Sequence, residues 1–443
     1  MELIQTLKRL SRADKYPFHM PGHKNILPEL FADYDPTELP GLDNLHCPQD
    51  VLARAQARVA DIYRVARTYF LVNGSSVGIM AALTSTLSPE DLVLVPRSCH
   101  KAVVAGLIHS GAMPLWLEQE FCPGLHHWLP PGRDQVAGLL AAHSIRAAIF
   151  TSPDYFGFVP DLPELVKLCR QSGAAVIVDE AHGAHLTFGR KLGLPSSAVE
   201  AGCDIIVQSP HKTLPALTQA AWLHLKDAGL ADRLQENLNL FHTTSPSYLL
   251  LASLEYAGAL ARGQGYSLLR RLAVWVKILE LRARQFELWR WPQVKIGRDW
   301  TKFTLVKRAG MEDLLRRAGI FPELVQGDKI LFMLTMADAL NPAGLHALYK
   351  VLPALAQLPE APEGGITPPP APVQECTPRE AWLRAGQQVP IVKALGRIAR
   401  QVVAPYPPGT MVVAPGQRLT AADIQYLSEL AKGKVIPEWI EVI

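Results

Sequence analysis

The sequence predicts an α/β fold built on a mainly parallel sheet with helices covering both faces. Three observations predict it. Near-continuous apolar runs of strand length recur at 92–95, 147–151, 174–178 and 203–207. Stretches with helical spacing separate them, as in a chain that crosses over between parallel strands. Finally, polar residues directly follow the ends of these runs: His100, Asp179 and Ser209–Lys212. Ligands of such sheets bind at the carboxyl ends of the strands, so these residues can converge.

Taken in order, residues 1–12 have a helical face of Leu3, Ile4, Leu7 and Leu10. The turn Phe18–Lys24 contains two histidines and a lysine, and reads equally as a solvated loop or as an arm reaching an anionic site. A second polar loop spans Glu38–His46. The spacing of Val51, Leu52, Ala55, Val59, Ile62 and Tyr63 predicts a helix over 49–70. Phe70-Leu71-Val72 then runs as a strand into Asn73-Gly74-Ser75-Ser76-Val77-Gly78, with a helix after it. Further strands are predicted at 113–117, 303–306 and 330–334, and helices around 136–143, 162–172 and 254–290.

Composition narrows the function classes. Hydrophobic residues make up 49% of the 443 and charged residues 19%, which describes a chain able to bury a large core. A formal net charge of +3 is too small to imply a nucleic-acid or membrane partner. The six cysteines are scattered without a C-x-x-C pair, so buried thiols of a reducing, cytoplasmic setting are expected. The first ten residues lack the apolar core of a signal peptide, and no run approaches a membrane span.

The chemistry gathers around Val207-Gln208-Ser209-Pro210-His211-Lys212-Thr213. A lysine just past a buried strand is a candidate Schiff-base lysine, because partial desolvation or a nearby cation makes an amine neutral near pH 7. Ser-x-His-Lys alone also describes ordinary surface lysines. The turn Gly74-Ser75-Ser76 at a helix start reads as a phosphate cradle or as a plain helix cap, and it is neither a Walker loop nor G-x-G-x-x-G. Asp179 follows Ala-Val-Ile-Val, so its carboxylate needs a cationic or donor partner, and Ala181 would present a small flat face beside it. His182 and His185 tempt a metal reading, but no third ligand has compatible spacing and no metal is expected. A phosphate turn, an imidazole, an acid after a buried strand and a lysine 33 residues later together describe a pyridoxal 5′-phosphate site. In that reading Lys212 carries the cofactor, Asp179 keeps the pyridine nitrogen protonated, Ser209 and His211 hold phosphate, and His100 stacks on the ring or donates a proton.

At this point the chain resembles the Orn/Lys/Arg decarboxylases of fold-type I, in the short form without an N-terminal wing. The resemblance rests on Pro21–Lys24, Thr37–Asp43, Asn73–Ser76, His100-Lys101, Asp179–His182, Ser209–Pro215, Thr243–Tyr248, Asp299–Lys302 and Pro405–Gly409. It implies an aspartate-aminotransferase-like large domain and a smaller C-terminal α/β domain. It implies Lys212, Asp179 and His100 as catalytic residues. The cofactor would be held by Gly74, Ser75, Ser76, Ala181, His182, Ser209 and His211 as well. It also implies Glu323 for the distal cation of a basic amino acid. Thr243, Thr244 and Ser245 would come from the neighbouring subunit of a homodimer, or of a larger assembly. The expected segments are an arm (1–48), the cofactor domain (49–275), the small domain (276–357), a proline-rich linker (358–373) and a C-terminal segment (374–443). Arginine is the expected substrate, ahead of lysine and ornithine; a different fold-type I reaction such as transamination, or a non-catalytic regulatory role, are the alternatives. The chain departs from the family pattern at Gln401 and Gln417, where glutamates are usual, and at Val77, which offers only backbone.

Overall fold

The computed structural model describes residues 1–11, 34–125, 127–289, 296–361, 368–405 and 411–443. The Phe18–Lys24 turn and most of Pro405–Gly409 lie outside them. Among the described residues, seven strands form the central sheet: β1 (Arg67–Leu71), β2 (Leu92–Pro96), β3 (Met113–Leu117), β4 (Ile145–Thr151), β5 (Ala175–Glu180), β6 (Ile205–Gln208) and β7 (Ala221–Leu225). Their order is β1-β7-β6-β5-β4-β2-β3. Pairings from β3 through to β6 are parallel, and β7 runs antiparallel to both β6 and β1.

Alternation along each strand splits the apolar side chains between two cores. Val93, Val95, Ile177, Ile205 and Val207 pack on one face, and Leu94, Val176, Val178 and Ile206 on the other. That is why these strands read as unbroken apolar runs. The helices α1 (Glu2–Ser11), α2 (Val51–Tyr63), α3 (Gly74–Thr86), α4 (Lys101–Ser110), α5 (Arg133–Ala142) and α6 (Leu162–Gln171) precede a 38-residue helix, α7 (Tyr248–Gln285). That helix runs across the expected domain boundary at 275. Buried Glu255 on α7 accepts hydrogen bonds from the α1 backbone at Glu2 (2.8 Å) and Ile4 (3.3 Å) and an ion pair from Arg58 at 2.6 Å, tying α1 to α7.

Two differences from the sequence expectation have local causes. The helix expected over 49–70 stops at Tyr63, because Arg64 turns left-handed (φ 57°) and frees 67–71 to become β1. Strand β7 was not expected at all. Its sequence, Ala-Trp-Leu-His-Leu, is fully buried, and His224 interrupts its apolar run because a polar chain receives it inside.

Beyond α7, β8 (Lys302–Val306), β9 (Leu324–Gln326) and β10 (Lys329–Met333) form an antiparallel three-stranded sheet packed with α8 (Met311–Arg317) and α9 (Ala343–Ala356). Its Phe303, Leu305 and Leu352 share one core with Leu254, Leu268 and Leu279 of α7. The C-terminal segment has its own core around Val389, Leu419 and Ile440. It reaches the sheet where the Met411 amide donates to the Cys99 carbonyl at 3.3 Å, next to His100. Gln417 is wholly buried within this segment, and its amide donates to Asp423 at 3.0 Å. An ionised glutamate in its place would have no proton to donate to Asp423.

Gly78 sets how closely α3 approaches the sheet. A Cβ there would lie 2.7 Å from Leu71 Cδ1 and 2.9 Å from Val207 Cγ1. Gly78→Ala is therefore expected to cost about 1–3 kcal/mol through overpacking. The checks are an earlier thermal transition and weaker cofactor retention, because the start of α3 shifts with it.

Candidate active site

Four loops leave the same edge of the sheet and carry the candidate residues. After β1, Asn73 caps α3, and Gly74 (φ 78°) gives its amide to the Gln219 carbonyl at 2.9 Å. Ser75 and Ser76 follow in the first helical turn, where amides have no intrahelical acceptor. A Cβ at Gly74 would meet nothing within 4 Å, so the space before this helix start is open. After β2, His100 caps α4, and its Nδ1 accepts the Ala102 amide at 3.2 Å. In the neutral ring this leaves the proton on Nε2. Burial lowers the His100 pKa, and Lys212 and Lys101 lower it further against the pull of Asp179.

Asp179 is the penultimate residue of β5, and Ala181 and His182 follow the strand; all three are buried. Asp179 Oδ1 accepts the Ala181 amide at 3.1 Å, which turns the carboxylate and the small Ala181 face along the same loop. After β6, Ser209 precedes the helical turn Pro210–Thr213 without a side-chain cap, and that turn presents Lys212. The Lys212 amine lies 3.1 Å from His182 Nε2. Burial lowers the Lys212 pKa, Lys302 adds to the lowering, and Asp179 and Glu323 oppose it. Burial also holds the His182 imidazole well below its ordinary range, with Lys212 and Lys302 acting in the same direction. An amine pushed toward neutrality thus touches a neutral imidazole. The His182 ring is backed by Tyr155, centroids 4.7 Å apart.

His211 Nδ1 lies 2.8 Å from the Ala220 carbonyl, so that nitrogen carries the proton and Nε2 accepts. The Thr243 amide donates to Asn73 Oδ1 at 3.0 Å and its carbonyl meets His46 Nε2 at 2.8 Å, so this loop stands beside the Gly74–Ser76 turn of its own chain. Thr244 and Ser245 are exposed. Glu323 is exposed at the rim, just before β9; packing around its carboxyl raises its pKa, against the pull of Lys212 and Lys302. Among the described residues no three histidine, cysteine or acidic side chains converge as metal ligands. His182 and His185 instead turn their Nε2 atoms to Lys212 and Asp299.

Sequence reasoning missed a second layer. Glu180 is fully buried, accepts from the Ala198 amide (2.6 Å) and Gln208 Nε2 (2.7 Å), and has its pKa pushed up to about 8 by burial. Gln208 in turn meets His224 at 3.0 Å, and His224 meets Thr68 at 2.9 Å. Alternating polar residues inside apolar strands, Gln208 and His224, were the only signal. The pair Asp299–Lys302 was visible as part of a matching segment, but nothing in the sequence said what it touches.

The residues fit pyridoxal phosphate. The Ser209 hydroxyl is fully buried without a partner, and so are Thr213 Oγ1 and His182 Nδ1. Buried polar atoms are seldom left unsatisfied, and these stand where a ligand would supply the missing bonds. A depressed lysine, a carboxylate and a helix start with open space complete what that cofactor needs. The fold and site define a fold-type I pyridoxal-phosphate enzyme. Residues 2–286 match the Orn/Lys/Arg decarboxylase major domain, and residues 368–435 match the C-terminal domain of the same family. The chain belongs to the Orn/Lys/Arg decarboxylase family of amino-acid decarboxylases. It is 32% identical to the uncharacterized protein YaaO of Bacillus subtilis, across 98% of this chain and 94% of that one. It is 30% identical to the arginine decarboxylase of the same organism, across 96% and 92%. In fold it is similar to lysine decarboxylase A from Pseudomonas aeruginosa (TM-score 0.80, 20% identity, covering 100% of this chain and 80% of that one). No helix among the described residues is long and apolar enough to cross a membrane.

Proposed function

We propose that this enzyme removes the α-carboxylate of a basic amino acid as CO2 and releases the amine, with arginine the preferred substrate over lysine and ornithine. One observation carries the reading: the buried Lys212 amine lies 3.1 Å from His182 Nε2, and the exposed Glu323 just before β9 is among the charges that act on it. An amino acid with a distal cation suits that arrangement, its reacting end at Lys212 and its cation at Glu323. Arginine comes first because near-full-length relatives are named arginine decarboxylase.

Pyridoxal phosphate supplies an aldehyde for an amine and a ring that takes up the electrons of the breaking Cα–carboxylate bond. Lys212 is the amine that binds it, and His182, 3.1 Å away, takes the amine's proton and returns it. Asp179 would pair with the pyridine nitrogen and favour its protonated form, and Ala181 and His100 would bound the ring. Ser75, Ser76, Ser209 and His211 would hold the phosphate. Ser209 is the donor with an unused hydroxyl. The enzyme works as a cytoplasmic homodimer, with Thr244 and Ser245 of each chain at its partner's site. Thr243 itself stands beside the phosphate turn of its own chain, and it is the exposed Thr244 and Ser245 that are free to reach a partner.

The test is CO2 release from arginine, lysine and ornithine offered separately to the purified holoenzyme. Gas and amine from one of them are expected; a keto acid in place of gas would overturn the assignment. Glu323→Gln is expected to raise KM for the basic substrate about three- to fivefold with kcat little changed, the worth of an ion pair at a partly exposed site. An unchanged KM would remove Glu323 from the reading.

A further inference from the structure

A second lysine is buried behind the first. Lys302, at the start of β8, is 1% exposed, and Asp299, three residues earlier, is wholly buried. Lys302 Nζ donates to Asp299 Oδ2 at 2.9 Å, and Asp299 Oδ2 also lies 3.1 Å from His185 Nε2. Asp299 Oδ1 accepts the Thr301 amide (2.9 Å) and hydroxyl (2.7 Å). Burial works against the Asp299 carboxylate, yet Lys302 and His185 outweigh it and hold its pKa low. Stability alone does not call for such a pair, since apolar replacements of buried ion pairs are often neutral or better.

Its contacts point to a different use. Lys302 Nζ reaches the His182 carbonyl at 3.4 Å, and Asp299 grips the His185 ring. Both are on the loop that follows β5 and its Asp179. The turn that holds the pair is itself fixed. The Asp299 amide donates to the Gly157 carbonyl at 2.7 Å, and Gly157 (φ 88°) admits the close approach, since a Cβ there would lie 2.6 Å from the Asp299 carbonyl oxygen. Trp300 Nε1 donates to the Leu192 carbonyl at 3.2 Å.

We propose that Asp299 and Lys302 are positioning residues for the reaction, bracing the Asp179–His185 loop from the small domain's side so that the His182 ring stays on the Lys212 amine. The proposal rests on Lys212 being the cofactor lysine. The brace also brings a cation toward that amine. The titratable and charged groups around Lys212 are Asp179 and His182 on the braced loop, His100 after β2, His211 on its own turn, and Glu323 and Lys302 from the far side. Of these, Lys302 contributes the buried positive charge that favours the neutral amine, after burial itself.

The experiment strips the cofactor, adds pyridoxal phosphate back, and follows the rate at which the visible absorbance band forms as pH is varied. The variant Asp299→Asn/Lys302→Met removes both charges at similar volume, so no buried charge is left unpaired. With the cation gone the amine stays protonated to higher pH, so the profile is expected to move to higher pH. Its kcat is expected to fall about tenfold or more, with KM near that of the parent. Lys302→Arg, which keeps a cation against Asp299, is expected to return the profile toward the parent's. Lys302→Gln keeps a donor toward the His182 carbonyl and leaves Asp299 with Thr301 and His185; it is expected to show the same upward shift and decides the matter if the double variant does not fold. A folded Asp299→Asn/Lys302→Met variant that keeps both the parent's kcat and its profile overturns the proposal. Band formation needs no amino-acid substrate. A parent protein that forms the band normally but releases no CO2 from any basic amino acid would therefore overturn the functional reading alone. A parent protein that forms no band would remove Lys212 as the cofactor lysine, and this proposal with it.

Discussion

Replacing Lys212 with alanine is expected to take CO2 release to undetectable levels and to abolish the visible band of the bound cofactor. Nothing else among the described residues combines its features. It is the lysine on the turn after β6, its pKa is lowered by burial, and a neutral imidazole stands 3.1 Å away to exchange its proton. Added cofactor should still associate, because Ser75, Ser76, Ser209 and His211 are untouched, but it should be washed out by gel filtration. Assays of band and gas on the same preparation check this. Retained turnover would remove Lys212 from the mechanism.

The second large effect is expected from Asp179→Asn. The substitution is isosteric, and an asparagine oxygen still accepts the Ala181 amide that Asp179 Oδ1 accepts now at 3.1 Å. The loop should hold its shape while the negative charge disappears. A neutral amide cannot stabilise a protonated ring nitrogen as a carboxylate does, so electron uptake by the ring weakens. A fall in kcat of about 10²- to 10³-fold is expected, the usual effect of removing one electrostatic partner from a shielded site. Cofactor binding should survive, seen as a band whose position or intensity differs from the parent's. An unchanged kcat would mean that Asp179 serves the loop and not the chemistry.

Much of this was legible in the sequence because strand ends were. Unbroken apolar runs marked β2, β4, β5 and β6, and the polar residues at or just beyond the ends of β2, β5 and β6 had to lie on one edge of a parallel sheet. His100, Asp179 and Lys212 do so. What stayed hidden depended on contacts between distant segments. The strand β7 hides behind His224, whose acceptability inside a sheet depends on Gln208 and Thr68 being there to meet it. The 3.1 Å contact between Lys212 and His182 joins segments 30 residues apart, and nothing in the sequence said that His182 meets that amine. Lys302 gave no sign of being buried, since a lysine at a strand start is ordinarily solvated; only Asp299 and the His182 carbonyl make its burial possible. Glu323 was legible through the family resemblance alone, because an exposed acid in a short loop carries no pattern of its own.

The central claim is that Lys212 is the lysine that binds the cofactor, and a chemical trap tests it most directly. Borohydride reduction of the purified holoenzyme converts a carbon–nitrogen double bond between lysine and cofactor into a stable secondary amine. Peptide mapping by mass spectrometry then locates it. The expected result is the cofactor's mass on the peptide carrying Lys212 and on no other. The same mass on Lys302, the second buried lysine, or on a surface lysine alone, would contradict the account.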